Sequence, residues 1–529
     1  MDLQKMEGTG WMGHHSRSSI GSRIESGDMI KKASWQTYLA QAVFMLLCAE
    51  TIFSLAYRSV YLSGHSVLPA WVAGLCALAG ADILFFMFRN PILAFMGRMM
   101  RAPSVGNRTW LIFWLFFGLA LRIAWILLFP VTLKSDSLAY FQVAAVMAKG
   151  HTGAGAYWPP GFSLFLAPFF MIFGARPWVA QVCALLFFVA AYLLTCALAN
   201  RLQGGLTARI APLLVAVWPG YFTLAGINCK ESFLAVLVPA ALLLYWKASD
   251  CRFADAFDHH LSSAKETGPN GARFRWGFVI ASGLCLGFMA LTQPGFLLFP
   301  AVILGFELLR CNSFLRAAGR TAVLSVFMLA AILPWTYRNY LVFHRMVLIS
   351  NNGGSVFYRS NNPLANANYS AAGEVPLPSD EFAASQLGYK MAEDWITHHF
   401  GDFAVLMAKK QAVFLGDDAL GAYETLKRDS NPSTALYASV KGFCNLFWLA
   451  LWTVLFLGSP LLFRLYNWRL WYGLLFLPIL YQWVIDSVYE SGPRHHVPYV
   501  ALIGILAGMA LSAAQRSSHS ARLKDICAS

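Results

Sequence analysis

The stretch KSDSLAYFQVAAVMAKGHTGAGAYWPPG, residues 134–161, decides how the rest of the chain is interpreted. It follows a long apolar run that ends at Phe129 and Pro130, and it brings the first charges after that run, Lys134 and Asp136. Apolar residues then recur at helical spacing until three glycines and a Trp-Pro-Pro-Gly corner end the pattern. An acid at the mouth of a membrane span, followed by a helix too short to cross, predicts a site at the membrane surface.

The composition indicates a membrane protein with many helical spans. Of 529 residues, 58% are hydrophobic and only 12% are charged, and apolar runs of about 18–23 residues recur along the chain. The formal net charge of +14 is explained by basic loops, so no nucleic-acid partner is expected. The ten cysteines are scattered, with no CxxC pair, so we expect no external disulfide framework.

Hydropathy predicts twelve spans with both termini in the cytoplasm. The arginines of loop 89–108 orient the bundle, since short basic loops stay inside. The run Phe162–Phe173 has only about a dozen residues, so residues 137–174 are expected to lie at the outer interface. The spans are expected at about 35–57, 66–88, 109–131, 177–199, 208–226, 232–247, 276–292, 296–310, 320–338, 440–461, 470–488 and 497–514.

Residues 339–439 form the largest predicted outer segment. Its start is rich in Asn, Ser and Gly and predicts turns with a short strand. Residues 380–415 predict amphipathic helices, either in a small outer domain or lying on the membrane. Their expected apolar side comprises Trp395, Ile396, Phe400, Phe403, Leu406 and Phe414.

The predicted organisation follows from these segments. A polar cytoplasmic tail (1–34) precedes two spans with a basic loop (35–108) and a transmembrane core (109–338). The first outer loop of that core, 132–176, is the expected catalytic loop. The outer segment 339–439, the C-terminal spans 440–514 and a cytoplasmic tail 515–529 complete the chain.

Several motifs together resemble a known family. They are the acid-bearing SDSLAYFQVAAVMAKG with YWPPG, then GINCKESF, LTQPG, the run LPWTYRNYLVFHRMVLISNNGGSVFYRSNNP, and YESGPRHHVPYVALIGILAG. Their order over about residues 109–514 resembles the GT-C glycosyltransferases of the protein O-mannosyltransferase and lipid A aminoarabinose transferase kind. The family often has Asp-Glu where this chain has Asp136-Ser137, and the first two spans precede the usual core.

The resemblance implies an all-α, GT-C-like transmembrane bundle with outer juxtamembrane helices. It implies transfer of a sugar from a polyprenyl-phosphate carrier to a lipid, glycan or protein acceptor. The reaction is expected at the outer face of a multi-pass membrane protein, in a bacterial inner membrane with the site facing the periplasm. No cofactor or metal is expected, because basic residues can stabilise a leaving phosphate.

Two acids are the candidate catalytic residues. Asp136 is the predicted base for the acceptor hydroxyl, and the resemblance places the family's catalytic aspartate here. The alternative is a solvated acid that caps the following helix. Glu231 lies in the outer loop just before a span, where it would orient the acceptor or Asp136, or else form a salt bridge with Lys230.

Basic residues at outer span ends are the candidate phosphate ligands. Arg338 and Arg494 present guanidinium forks that suit phosphate oxygens, although each is also explained by interfacial snorkelling. His495 and His496 follow Arg494, and His495 is predicted to assist with the phosphate. No sequence spacing of a strong metal site includes these histidines, and His398 and His399 are expected to face water.

Further predictions concern aromatic residues and charges inside spans. Tyr140, Tyr157 and Trp158 of the opening stretch are the predicted substrate-binding residues. Arg122 lies within span three, and a pair with Glu50 or Asp82 is expected to join the first two spans to the core.

The rival function is a lipid-linked sugar transporter or flippase. Twelve spans and intramembrane charges favour it, whereas matched interrupted helices in the two halves, which such proteins often have, are not found in the sequence. A non-catalytic lipid-binding scaffold is a third, weaker alternative.

Overall fold

The computed structural model shows a helical bundle, which confirms the predicted all-α polytopic fold. It describes residues 34–61, 68–81, 83, 87, 107–152, 155–248, 275–310, 313–367, 377–428 and 434–528. Within these ranges every regular element is a helix.

The first half contains helices of very different lengths. They are α1 (Trp35–Tyr61), α2 (Leu68–Ala81), α3 (Asn107–Leu128), α4 (Ser135–Ala148), α5 (Gly161–Phe173), α6 (Pro177–Leu202), α7 (Thr207–Val217), α8 (Pro219–Phe222) and α9 (Lys230–Ala248). A short 3-10 turn, Thr223–Gly226, follows α8.

The second half continues the bundle and adds the outer segment. Its helices are α10 (Trp276–Thr292), α11 (Pro300–Arg310), α12 (Phe314–Phe343), α13 (Gly353–Ser360), α14 (Glu381–His398), α15 (Phe400–Leu415), α16 (Leu420–Leu426), α17 (Thr434–Leu465), α18 (Trp468–Trp471), α19 (Leu477–Val488) and α20 (Val500–Ala528). The 3-10 turns Pro294–Leu298 and Val497–Tyr499 precede α11 and α20, and a π-helical turn, Tyr472–Phe476, joins α18 to α19.

Seven of the described helices are long and apolar enough to cross a membrane alone, and a bent pair, α7 with α8 and its turn, gives an eighth candidate. Helices also occupy the other predicted spans, but α10 and α11 have only 17 and 11 residues and α19 continues a π-helical turn. Prolines begin or interrupt several of the described elements, including α7, α11 and α19, which shortens their unbroken helical runs.

The core lies where α20 packs against α7, α9 and α17. Small residues allow this close approach, because a Cβ at Gly504 would stand 3.4 Å from the Ala211 carbonyl oxygen. The apolar residues of α20 between Val500 and Ala510 are almost completely buried. A helix that is apolar on every side is stable only when other helices surround it. The C-terminal helix is therefore central to the bundle.

The predicted intramembrane ion pair between Arg122 and Glu50 is wrong. Arg122 donates to the carbonyl oxygens of Gly118 and Ala216 at 3.0 Å each, and its guanidinium lies 3.6 Å from the ring centre of Phe188. Glu50 instead accepts a hydrogen bond from Trp483 Nε1 at 3.1 Å. The other proposed partner, Asp82, lies outside the described residues. Backbone carbonyls freed near the α7–α8 bend satisfy the buried cation instead.

The short strand predicted at the start of the 339–439 segment is also wrong for the residues that the structure describes there. Residues Gly353–Ser360 form α13, whose Phe357 and Tyr358 are buried against Ala392 of α14. The glycines make this packing possible, since a Cβ at Gly354 would overlap the Ser385 carbonyl oxygen. On the predicted apolar side of α14 and α15, Phe403, Leu406 and Phe414 are buried, Trp395 and Ile396 are half-buried, and Phe400 is exposed.

Residues predicted on the same side of the membrane come together. On the predicted outer side, Arg338 Nη2 donates to the Thr152 carbonyl at 3.0 Å, and Glu381 accepts from the backbone N–H of Ala156 at 2.9 Å. On the opposite side, Glu307 pairs with Arg310 and Arg320 at 2.9 and 2.8 Å. Each of these contacts joins residues that the charge pattern predicts on one side of the membrane, and the sidedness itself stays a prediction.

Candidate active site

Three charged side chains from distant parts of the chain meet at the predicted outer face. Arg494 Nη2 lies 2.5 Å from Asp136 Oδ2, and Arg494 Nε lies 3.0 Å from Glu231 Oε1. Asp136 lies in the first turn of α4, Glu231 lies in the first turn of α9, and Arg494 occupies the turn before α20. One guanidinium thus bridges both predicted catalytic acids.

The start of α4 is built to present Asp136. Ser135 adopts a left-handed backbone, with φ of +50°, which costs a non-glycine residue on the order of 1–3 kcal/mol. The hydroxyl of Ser137 closes the helix start, accepting from the Lys134 N–H at 3.1 Å and donating to the Lys134 carbonyl at 2.7 Å. Asn228 Nδ2 then donates to the Ser137 carbonyl at 2.9 Å. The hydroxyl that bonds the helix start thus belongs to Ser137, and the Asp136 carboxylate pairs with Arg494.

Glu231 is the buried member of the pair of acids. Its residue surface is 1% exposed, whereas the Asp136 side chain keeps 35% of its surface exposed. The Cys229 thiol donates to Glu231 Oε2 at 2.9 Å, and the N-terminus of α9 favours a negative charge at this position. Its closest cationic partner is Arg494, in place of the salt bridge with Lys230 that the sequence left open.

The charges of the cluster stabilise one another. Burial raises the pKa of Asp136, but the Arg494 guanidinium and the Lys230 ammonium outweigh it and hold that pKa below its usual value. Burial lowers the pKa of Arg494, but Glu231 and Asp136 raise it well above its usual value. Asp136 is therefore a carboxylate, and Arg494 a cation, at any physiological pH. A carboxylate paired this closely is a weak base until its partner moves.

The turn that carries Arg494 is held by its neighbours. Ser491 Oγ donates to the Lys410 carbonyl at 2.7 Å, and the backbone N–H of His495 donates to the Gly492 carbonyl at 3.1 Å. His495 Nδ1 lies 3.0 Å from Asp486 Oδ2. Burial lowers the pKa of His495, but Asp486 outweighs it and raises that pKa. The direct partner of His495 is thus Asp486, and its predicted role at the phosphate stays a prediction.

Aromatic side chains form one wall beside the cluster. Tyr140 is 2% exposed, and its ring centre lies 5.3 Å from that of Trp158. Lys230 Nζ lies 5.8 Å from the centre of the Tyr140 ring. Tyr157 packs edge-on against Trp158, with ring centres 5.2 Å apart. Such faces suit a sugar ring, but the burial of Tyr140 leaves Tyr157 and Trp158 as the accessible pair.

Arg338 has different partners from Arg494. It donates to Asn339 Oδ1 at 2.9 Å as well as to the Thr152 carbonyl, and its guanidinium lies 4.9 Å from the ring centre of Trp335. These contacts tie the end of α12 to the loop after α4. Its binding to donor phosphate therefore stays a prediction.

Sequence reasoning missed three polar residues around the cluster. They are Asn228, which donates to the Ser137 carbonyl; Asp486, which partners His495; and Asp418, which partners the adjacent His496 at 2.7 Å. Asp486 stands inside a predicted span, where an acid by itself marks a paired or functional group. Asp418 carries no comparable signal, because it lies in the polar outer segment.

The part of the chain that the structure describes contains no candidate metal site. Across the described residues, no three His, Cys, Asp or Glu side chains are grouped closely enough to bind a metal ion. His398 and His399 are exposed, as expected. The sequence-based expectation of metal-independent chemistry stays a prediction.

Comparisons with known proteins give structural neighbours of low similarity. No family model matches the chain, and no curated protein sequence matches it. The oligosaccharyltransferase AglB from Archaeoglobus fulgidus, solved with an inhibitory peptide and a dolichol-phosphate, aligns at a TM-score of 0.45 and 13% identity, covering 80% of this chain and 52% of AglB. The chain thus spans about half the length of AglB.

ArnT from Cupriavidus metallidurans, solved bound to undecaprenyl phosphate, aligns at a TM-score of 0.39 and 17% identity, covering 77% of this chain and 78% of ArnT. Both neighbours are GT-C glycosyltransferases, the class that the sequence motifs resemble.

Proposed function

We propose that this protein is a membrane glycosyltransferase that moves a sugar from a polyprenyl-phosphate carrier to an acceptor hydroxyl. The observation that carries the proposal is the bridge of Arg494 between Asp136 and Glu231, at the junction of α4, α9 and the turn before α20. A cation held by a buried acid on one side and a partly exposed acid on the other suits a phosphate next to a base.

The reaction needs one proton acceptor and one stabilised leaving group. The acceptor hydroxyl gives its proton to Asp136 while its oxygen bonds to the anomeric carbon of the sugar. The bond from that carbon to the phosphate oxygen breaks, and the lipid phosphate leaves with the electron pair. Arg494 stabilises the charge that develops on this phosphate.

The ion pair between Arg494 and Asp136 implies an order of events. Asp136 and a donor phosphate compete for the same guanidinium nitrogen, while Glu231 holds Nε from the other side. Donor binding therefore releases Asp136 from Arg494, and the added negative charge makes the freed carboxylate more basic. The base becomes competent only when the donor is in place.

The three charged residues stand at span ends that the charge pattern predicts to be outside, so we propose a multi-pass protein of the bacterial inner membrane that acts on its periplasmic side. The donor would enter from the bilayer, and Tyr157 and Trp158 would contact the sugar. The acceptor is a lipid, glycan or protein that carries a hydroxyl.

The direct test is transfer by the purified full-length protein. It is incubated with a radiolabelled polyprenyl-phosphate sugar and a membrane extract, and labelled acceptor is measured with wild type and Asp136→Asn. Label transfer that Asp136→Asn abolishes supports the proposal. Movement of the labelled lipid across vesicles without transfer would establish the flippase alternative and refute the enzyme.

A further inference from the structure

We propose that Asp418 and His496 are positioning residues for Arg494, and that helix α1 fixes them through the segment 413–418. This inference rests on the proposed function only where donor binding is measured. Helix α1 precedes the core that resembles the family. In this proposal, α1 helps to position Arg494.

The outer end of α1 contacts segment 413–418 directly. Arg58 Nη1 donates to the Val413 carbonyl at 3.0 Å, and Arg58 Nη2 lies 3.9 Å from Asp417 Oδ2. The backbone meets here too, since a Cβ at Gly416 would stand 2.9 Å from the Ser54 carbonyl oxygen. A side chain at position 416 would push α1 away. The segment is therefore packed against α1 by both side-chain and backbone contacts.

Asp418, at the end of this segment, is completely enclosed. Its carboxylate accepts from Trp218 Nε1 at 2.8 Å and lies 2.7 Å from His496 Nε2, and its own N–H donates to Asn445 Oδ1 at 2.9 Å. Gly220 gives it room, because a Cβ there would overlap Asp418 Oδ1. A buried carboxylate needs such partners, and losing one is costly.

His496 transmits this constraint to the turn before α20. Its ring stacks on Trp448 with centres 4.4 Å apart, and Trp448 Nε1 donates to the Leu415 carbonyl at 2.7 Å, in the same region. Arg494 lies two residues earlier, and its carbonyl accepts from the Val497 N–H at 3.0 Å. Residues 494–497 therefore form one turn, and fixing His496 fixes the direction of Arg494.

The first test measures position without using activity. Hydrogen exchange is followed by mass spectrometry on the detergent-solubilised full-length protein, for wild type and Arg58→Ala. We expect faster exchange in both 413–418 and 491–497, with 177–202 unchanged. The matched control is Gln36→Ala, which removes a contact to Arg469 at the other end of α1 and should change neither segment. Faster exchange in 413–418 with an unchanged 491–497 would overturn the proposal.

The second test asks whether His496 acts through Arg494. Binding of polyprenyl phosphate is measured for His496→Phe, which keeps the stacking ring and loses the bond to Asp418, and for Arg494→Ala and the double variant. We expect His496→Phe to weaken binding about 10-fold alone and not at all in the Arg494→Ala background. Equal weakening in both backgrounds would refute positioning. If Arg494→Ala binds like wild type, the proposed phosphate role of Arg494 fails, while the exchange result still decides the role of α1.

Discussion

Replacing Arg494 by alanine should separate its role in donor binding from its role in folding. The change removes a charge-assisted contact to phosphate worth roughly 1.5–3 kcal/mol, which corresponds to a rise of about 10- to 150-fold in the donor KM. It also leaves Glu231, which is 1% exposed, without its ion partner. Leaving a buried charge unpaired costs about 3–5 kcal/mol of stability. Arg494→Ala alone therefore changes donor binding and protein stability together.

The double variant Arg494→Ala/Glu231→Gln resolves them. It removes both charges together, so thermal stability should return most of the way to that of wild type, while the donor KM stays raised. Arg494→Lys should rescue the KM only in part, since an ammonium lacks the fork that reaches both acids. The assay is donor titration at a fixed acceptor concentration, with thermal unfolding in detergent as the companion measurement. A stable double variant that titrates with donor like wild type would refute the phosphate role and leave Arg494 a structural residue.

The remaining predictions concern the base, its pH dependence, the second arginine and topology. Asp136→Asn should lower turnover at saturating donor about 10²-fold or more with expression and monodispersity unchanged, and near-normal turnover would remove Asp136 as the base. The acid limb of kcat should lie at higher pH than that of kcat/KM, because Arg494 depresses the pKa of Asp136 only in the free enzyme; coincident limbs would contradict the release step. Arg338→Ala should raise the donor KM less than Arg494→Ala, since it already serves a backbone carbonyl; an unchanged KM would make it an anchor only. Single cysteines at Gly155 and Asn366 should react with an impermeant reagent in intact cells and those in the C-terminal tail should not, the opposite pattern placing Asp136 on the wrong face.

The fold followed from hydropathy wherever a helix is long and unbroken. Runs such as 177–199 contain enough apolar residues to identify a span without any tertiary information. The short strand expected at the start of the outer segment failed for the opposite reason. Local composition favoured turns there, whereas the burial of Phe357 and Tyr358 against α14 stabilises a helix that only tertiary contacts can specify.

The site was predictable as a set of residues but not as a set of partners. Asp136, Glu231 and Arg494 stand at span ends, and span ends of one orientation must lie at one face. Which acid meets which arginine depends on how helices pack, and Asp136 and Arg494 are 358 residues apart. Arg122 shows the same limit, because backbone carbonyls and a ring took the place of the expected acid, and a single sequence carries no signal for either.

The unequal burial of the two carboxylates supports different proposed roles for them. Glu231 is enclosed and accepts a hydrogen bond from the Cys229 thiol, so in the proposed mechanism it keeps Arg494 oriented whether or not a donor is bound. A third of the Asp136 side-chain surface is exposed, so the proposed base can exchange Arg494 for an acceptor hydroxyl. A site with two equally buried acids would hold the guanidinium too tightly for a phosphate to compete. One with two exposed acids would leave the arginine without a fixed direction. The observed arrangement keeps the cation in place and leaves only the proposed base able to move.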